Sequence, residues 1–177
     1  KQDYGFGDIL SQLIISRNYD ASEIYGIKNS QKLINIFIDD IDYKKASLIL
    51  LNSIKNNENI CILGDYDVDG ACATSLLVRY FNHINQKHFF YIPYRVNDGY
   101  GASKKLFQKL ILKKPKLVVM VDCGSTSNEA IEYLNQQNIR SIIIDHHEIN
   151  KPYPKSDVII NPKKQLTYNE NSFLCAT

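Results

Sequence analysis

The feature that most constrains this chain is an alternation of short, unbroken apolar runs with stretches of helical spacing. Five runs recur: Ile60-Cys61-Ile62-Leu63, Phe89-Phe90-Tyr91-Ile92, Leu117-Val118-Val119-Met120-Val121, Ile142-Ile143-Ile144 and Val158-Ile159-Ile160. A run this short, apolar at every position, suits a strand covered on both faces. The segments between supply the cover. Gly70 to Phe81 is predicted helical, and Ser103 is placed to cap a helix carrying Leu106, Phe107, Leu110 and Ile111. Thr126 with Glu129 forms a capping-box pattern ahead of Ala130, Ile131 and Leu134. Upstream, Asp42 is predicted to cap a helix with Ala46, Ile49, Leu50 and Ile54 on its apolar face. This alternation predicts an α/β fold, a parallel, Rossmann-like sheet of about five strands with helices on both faces. Residues 1–41, interrupted by Gly5, Gly7 and Gly26, read as an N-terminal arm with short helices, and residues 42–177 as the α/β domain.

Composition narrows the setting. A length of 177 residues suffices for one ordinary α/β domain and not for two full-sized ones. A net charge of +2 excludes a strongly basic nucleic-acid arm and an acidic tail, but not a local phosphate-binding patch. The four cysteines, Cys61, Cys72, Cys123 and Cys175, contain no C-x-x-C pair, which argues against a zinc ribbon or disulfide framework and for a reducing compartment. Three of them lie in or beside apolar runs and are expected to be buried. No apolar stretch approaches the roughly 18 residues of a membrane span, so the expectation is a soluble, cytoplasmic protein without membrane contact. The single methionine is Met120, and Phe173-Leu174-Cys175-Ala176-Thr177 reads as the start of a further element. The chain is therefore expected to be part of a longer protein, with its α/β domain truncated at the C-terminal end.

In parallel sheets, ligands bind beyond the carboxyl ends of the strands. There the first run is followed by Gly64-Asp65-Tyr66-Asp67-Val68-Asp69-Gly70, and the second by Arg95-Val96-Asn97-Asp98-Gly99-Tyr100-Gly101. The third is followed by Asp122-Cys123-Gly124-Ser125, and the fourth by Asp145-His146-His147-Glu148. Asp65, Asp67 and Asp69 alternate, and in an extended segment they would project to one side, where mutual repulsion calls for a cation. With Asp122 and an imidazole added, the donor set is oxygen-rich with one nitrogen and suits Mn²⁺ or Mg²⁺. The carboxylates are numerous enough for two ions, the arrangement that activates water for phosphoester hydrolysis. A calcium loop fits poorly, because the Glu it needs at position 12 is Leu76. Asp145 is expected to orient a neighbouring histidine. Arg95, with Gly99 and Gly101 in the adjoining turn, offers a guanidinium and close backbone approach to a phosphate, although both glycines also suit simple turn geometry.

These four motifs, in this order and at these intervals, resemble the DHH phosphoesterase superfamily. Within it, the three-aspartate first motif, the Pro-x-Arg-x-x-Asp-Gly-Tyr-Gly run from Pro93 to Gly101 and the late Ile160-Asn161-Pro162 are similar to the RecJ branch of bacterial single-strand-specific 5′ to 3′ DNA exonucleases. The resemblance runs from about Tyr19 to Thr177. It implies that Asp67 and Asp69 each bind one metal ion, that Asp122 bridges both, and that His146 is a further ligand. It places Asp65 near the first ion and His147 against the scissile phosphate. It also implies a role in DNA repair and recombination, with single-stranded DNA as substrate. A single-strand-binding protein and a helicase would be partners through regions outside this chain.

The family's core continues with a further aspartate that completes the second metal site and with domains that grip the strand; these are not found in this sequence. On that ground the isolated chain is expected to have little nuclease activity. Two other readings remain at this point. One is a small-substrate relative acting on oligonucleotides, cyclic dinucleotides or pyrophosphate; those relatives usually carry a histidine where this chain has Leu63. The other is an inactive fragment of the exonuclease.

Overall fold

The computed structural model of the chain describes residues 5–29, 40–99, 101–164 and 175–176. Phe173 and Leu174, expected to start a further element, and Tyr100 of the second motif lie outside these. The chain divides into two units, Lys1–Ile36 and Phe37–Thr177. In the first, α1 (Asp8–Ser16) and α2 (Ala21–Lys28) are short, and α2 opens on a capping box between Asp20 and Glu23.

The second unit carries the predicted alternation: α3 (Ile41–Lys55), β1 (Ile60–Leu63), α4 (Val68–His83), β2 (His88–Tyr91), α5 (Arg95–Asp98), α6 (Lys104–Leu110), β3 (Leu117–Val121), α7 (Asn128–Gln136), β4 (Arg140–Ile144) and β5 (Val158–Ile160). All strand pairs are parallel, in the order β2-β1-β3-β4-β5. Alternate strand residues point to opposite faces, so each face has its own core. On one, Cys61, Leu63, Val118, Met120 and Ile143 meet Leu106, Phe107 and Leu110 of α6 and Ile131 and Leu134 of α7. On the other, Ile60, Ile62, Val119, Val121 and Ile142 meet Ala46 of α3 and Ala73 and Phe81 of α4. The predicted two-sided sheet of five strands is the observed one.

Several boundaries differ for local reasons. Asp40, not Asp42, caps α3 by accepting from the Tyr43 amide (2.8 Å), and Asp42 pairs with Lys164 instead. The helix predicted from Gly70 starts two residues earlier, because Asp67 caps it. Ser103 caps α6 as expected. The Thr126/Glu129 capping box does not form: Ser127 is the N-cap of α7 and makes no side-chain cap bond. Of the cysteines, Cys61 and Cys123 are buried, while Cys72 and Cys175 are exposed. Fewer therefore act as core residues than the apolar neighbourhoods implied.

Strand register decides which loop residues lie side by side. Leu63 pairs with Met120, Val121 with Ile144, and Ile144 with Ile160. Carried one or two residues past the strand ends, the same register puts Asp65, Asp122, Asp145 and Asn161 in one row across four neighbouring strands. The ladder does continue that far, since Asp122 N donates to Ile144 O (2.9 Å) and Asp145 N to Ile160 O (3.0 Å). Helix α4 is docked tightly beneath this row, and a Cβ on Gly70 would come within 2.6 Å of the Asp65 backbone N and O.

Gly70→Ala therefore tests the docking, because helix propensity alone favours Ala by about 1 kcal/mol. The expected result is the opposite sign: a loss of about 1–3 kcal/mol from overpacking, seen in thermal unfolding as a lower midpoint. An unchanged or raised midpoint would contradict the close contact.

Candidate metal centre

Asp65, Asp122 and Asp145 are 2%, 0% and 3% exposed, an unusual density of buried acids. Strands in a sheet lie about 4.8 Å apart, so neighbours in the row repel one another strongly unless something intervenes. Each is treated differently by its surroundings.

At the end of β1 the chain passes through Gly64, where a Cβ would lie 2.0 Å from Thr74 Oγ1 of α4. It then bends at Tyr66 and Asp67, so the extended segment expected to throw three aspartates to one side does not exist. Asp67 instead caps α4, with Oδ1 accepting from Gly70 N (3.0 Å), and Asp69 stands in the first helical turn. The sites still converge. Asp65, Asp67 and Asp122 each bring a carboxylate oxygen within 4.8 Å of the others. Asp69 joins from the side, with Oδ2 lying 3.5 Å from His146 Nε2.

Asp122 follows β3 with φ of 60°, a left-handed conformation costly for most side chains and tolerated by Asp. Neither of its oxygens accepts a hydrogen bond, nor does Asp65 Oδ1. His146 Nε2 lies 3.1 Å from Asp122 Oδ1 and His147 Nδ1 lies 3.8 Å from it, and one donor atom from each of these three residues falls within 4.8 Å of the others. Burial, reinforced by the Asp69 and Asp67 carboxylates, pushes the Asp122 carboxyl up to about 7. Burial also raises Asp65, with the Asp67 charge adding to it.

Asp145 has donors on both oxygens. Oδ2 accepts from Ser125 N (3.0 Å), and Oδ1 from His146 N (2.8 Å) while also lying 2.7 Å from His147 Nδ1. Burial works against its ionisation, but the bonds from Ser125 and His147 outweigh that and hold the carboxyl below its ordinary range. His147 responds in kind: burial lowers it, and the Asp145 bond and charge more than reverse this, leaving it raised. The histidine beside Asp145 is thus His147. Asn161 ties the loops together, donating to Ser125 Oγ (2.8 Å) and to His147 O (3.0 Å).

Sequence reasoning assigned no role to Gly64, Gly70 or Ser125. Gly64 and Gly70 flank the acidic run, and that placement was the available signal; Ser125 acts through its main chain and gives none. In the second motif, the Arg95 guanidinium lies 5.4 Å from the centroid of the ring of Tyr66, the residue between Asp65 and Asp67. Gly99 and Gly101 have φ of 80° and 65°, so both serve the turn. Gly99 faces open space, whereas Gly101 approaches Cys123, next to Asp122. Asp98 braces this turn, accepting from Tyr91 Oη (2.7 Å), Tyr94 N (3.1 Å) and Lys109 Nζ (2.9 Å).

Buried carboxylate oxygens with no donor, hard oxygen ligands in majority and one or two imidazoles at the rim form a set that suits a divalent cation such as Mn²⁺ or Mg²⁺. Bound cations would supply the charge that the protein does not.

Comparisons with known proteins identify relatives of this chain. The profile of the DHH family, N-terminal domain, matches residues 59–172. The single-stranded-DNA-specific exonuclease RecJ of Dickeya dadantii is 29% identical over 77% of this chain and 25% of its own length. The protein of the same name from Escherichia coli is 33% identical over 67% of this chain and 21% of its own. A crystal structure described as exonuclease RecJ bound to manganese superposes with a TM-score of 0.69, at 26% identity, over 77% of this chain and 35% of that one. The chain thus spans between a fifth and about a quarter of the length of these curated relatives.

The charge distribution has two measurable outcomes. Between the unfolded carboxyl value near 3.9 and about 7, folded Asp122 keeps a proton that the unfolded chain has released, so stability falls as pH rises through that window. Asp122→Asn should therefore raise the melting midpoint of the metal-free chain at pH 8 more than at pH 5, by roughly 2–4 °C for each kcal/mol recovered. Equal shifts at both pH values would count against it. Asp145→Asn should lower the His147 pKa, read by NMR titration of its ring protons, since the raising partner is removed.

Proposed function

This chain belongs to the DHH family, and on that premise we propose that it forms the catalytic core of a metal-dependent phosphodiesterase, within a 5′ to 3′ exonuclease on single-stranded DNA. The observation that carries the reading is the pair of buried acids, Asp65 and Asp122, of which Asp65 Oδ1 and both Asp122 oxygens accept no hydrogen bond, at a sheet edge built for ligands. The substrate class rests on the names of the relatives and on the second motif, from Pro93 to Gly101.

In this reading Asp67, Asp69, Asp122 and His146 would hold Mn²⁺ or Mg²⁺, with Asp122 serving as a ligand common to both sites and Asp65 standing near the first. When bound, the ions supply a nucleophilic water at neutral pH and neutralise charge on the phosphate. The remaining work falls to the protein. His147, with Nδ1 held by Asp145, which favours the protonated ring, presents its imidazole to a non-bridging phosphate oxygen. Arg95, held beside the Tyr66 ring, offers a guanidinium to a phosphate at the mouth. The backbone of Gly99 and Gly101 lets the strand approach closely there.

The same reading gives the setting. Such an enzyme acts in DNA repair and recombination in the cytoplasm. It works beside a single-strand-binding protein and a helicase, through parts of the protein outside this chain. No helix among the described residues is long and apolar enough to cross a membrane.

Hydrolysis of end-labelled single-stranded oligonucleotides with Mn²⁺ by the full-length protein tests the proposal. Asp122→Ala should abolish hydrolysis and weaken Mn²⁺ binding by at least about 100-fold, since it removes a shared ligand rather than an outer-shell partner. Retained Mn²⁺-dependent hydrolysis in that variant would overturn the bridging role.

A further inference from the structure

We infer that the main-chain amide of Ala176 is a positioning group of the metal centre, fixing the orientation in which Asp69 meets an ion; this rests on the metal-binding reading under the proposed function. Ala176 N donates to Asp69 Oδ2 at 2.7 Å, across 107 positions of sequence. That is the length of a charge-assisted bond, about twice as strong as a neutral one. The contact is not a loose encounter, because Ala176 is half-buried and packs against the core that joins the sheet to α3 and α4. It therefore approaches Asp69 from the same face as the helix that carries it.

Asp69 needs such a tether. It stands in the first turn of α4, where a carboxylate is drawn towards the helix's own unpaired N–H groups. The cap itself is already provided by Asp67, which takes the Gly70 amide. The Ala176 amide binds Oδ2, and the same oxygen lies 3.5 Å from His146 Nε2. The bond thereby favours the orientation that keeps Oδ2 beside the imidazole. Outer partners of this kind are worth about 10- to 100-fold in metal affinity. A main-chain donor has a further property: every substitution at 176 except proline retains it.

The experiment uses the 177-residue chain, with Mn²⁺ affinity read by calorimetry and metal-free stability by thermal unfolding. Ala176→Pro should weaken Mn²⁺ binding about 10- to 100-fold in a chain that still unfolds cooperatively when metal-free, its melting midpoint lowered only as far as the lost bond accounts for. Ala176→Gly keeps the N–H and should stay within about twofold of the parent. In Asp69→Ala, adding Ala176→Pro should cost nothing more, because the amide acts through Asp69. In the metal-free parent the Ala176 amide should be protected from hydrogen exchange, and Asp69→Ala should remove that protection. A parent that binds Mn²⁺ alongside an Ala176→Pro variant of equal affinity overturns this inference and leaves the metal reading standing. A parent that binds no Mn²⁺ overturns both. An unprotected Ala176 amide overturns the contact itself.

Discussion

The repulsion among Asp65, Asp122 and Asp145, buried side by side on neighbouring strands, is the constraint around which the rest of this structure is arranged. Three ionised carboxylates a strand spacing apart are untenable in a low-dielectric interior without compensation. Asp145 receives it from the protein, through Ser125 and His147. Asp65 and Asp122 receive too little to offset burial, with Asp65 Oδ1 and both Asp122 oxygens accepting no hydrogen bond, and they flank the gap between β1 and β3. In a sheet of order β2-β1-β3-β4-β5 that gap is the point at which the chain reverses its direction of travel across the sheet, where the connecting loops diverge and leave a crevice. The uncompensated charge therefore coincides with the opening that admits a cation.

Much of the remaining detail serves to keep this row in place. The absent β-carbons at Gly64 and Gly70 let α4 press against the Asp65 backbone. The left-handed turn at Asp122 and the cross-tie made by Asn161 hold the neighbouring loops at the same level. These arrangements favour function over resting stability, since the most buried acid, Asp122, is also the one held furthest from its ordinary titration range by burial and its acidic neighbours.

The sheet was legible because each strand contains an unbroken apolar run of three to five residues, even where β2 and β4 begin on the polar His88 and on Arg140 and Ser141, and a pattern so continuous has few other solutions. The membership of the site was legible because Asp65, Asp122 and Asp145 each stand just past the end of a run. What the sequence did not reveal was how the first motif is bent. Alternation in Gly64 to Gly70 suggested an extended strand with acids on one side, whereas the capping preference of Asp67 won and turned the second half into helix. The contacts of Ser125 and Ala176 were hidden for a different reason. They are made by main-chain amides, which every residue but proline possesses, so residue identity carries no trace of them. The Thr126/Glu129 pattern misled in the opposite direction, since side chains capable of a cap were present but α7 begins at Asn128 without one.

The cross-strand row also says where this protein can tolerate changes in length. A one-residue insertion or deletion between the middle of β1, β3 or β4 and the acid beyond it would shift that carboxylate by about 3.3 Å and turn it to the opposite face of the sheet. The loops at the other edge, such as Asn56 to Asn59 or Gln137 to Ile139, enter their strands far from the row and can lengthen without disturbing it. Length variation within this fold should therefore be confined to one rim of the sheet, leaving the other invariant in spacing.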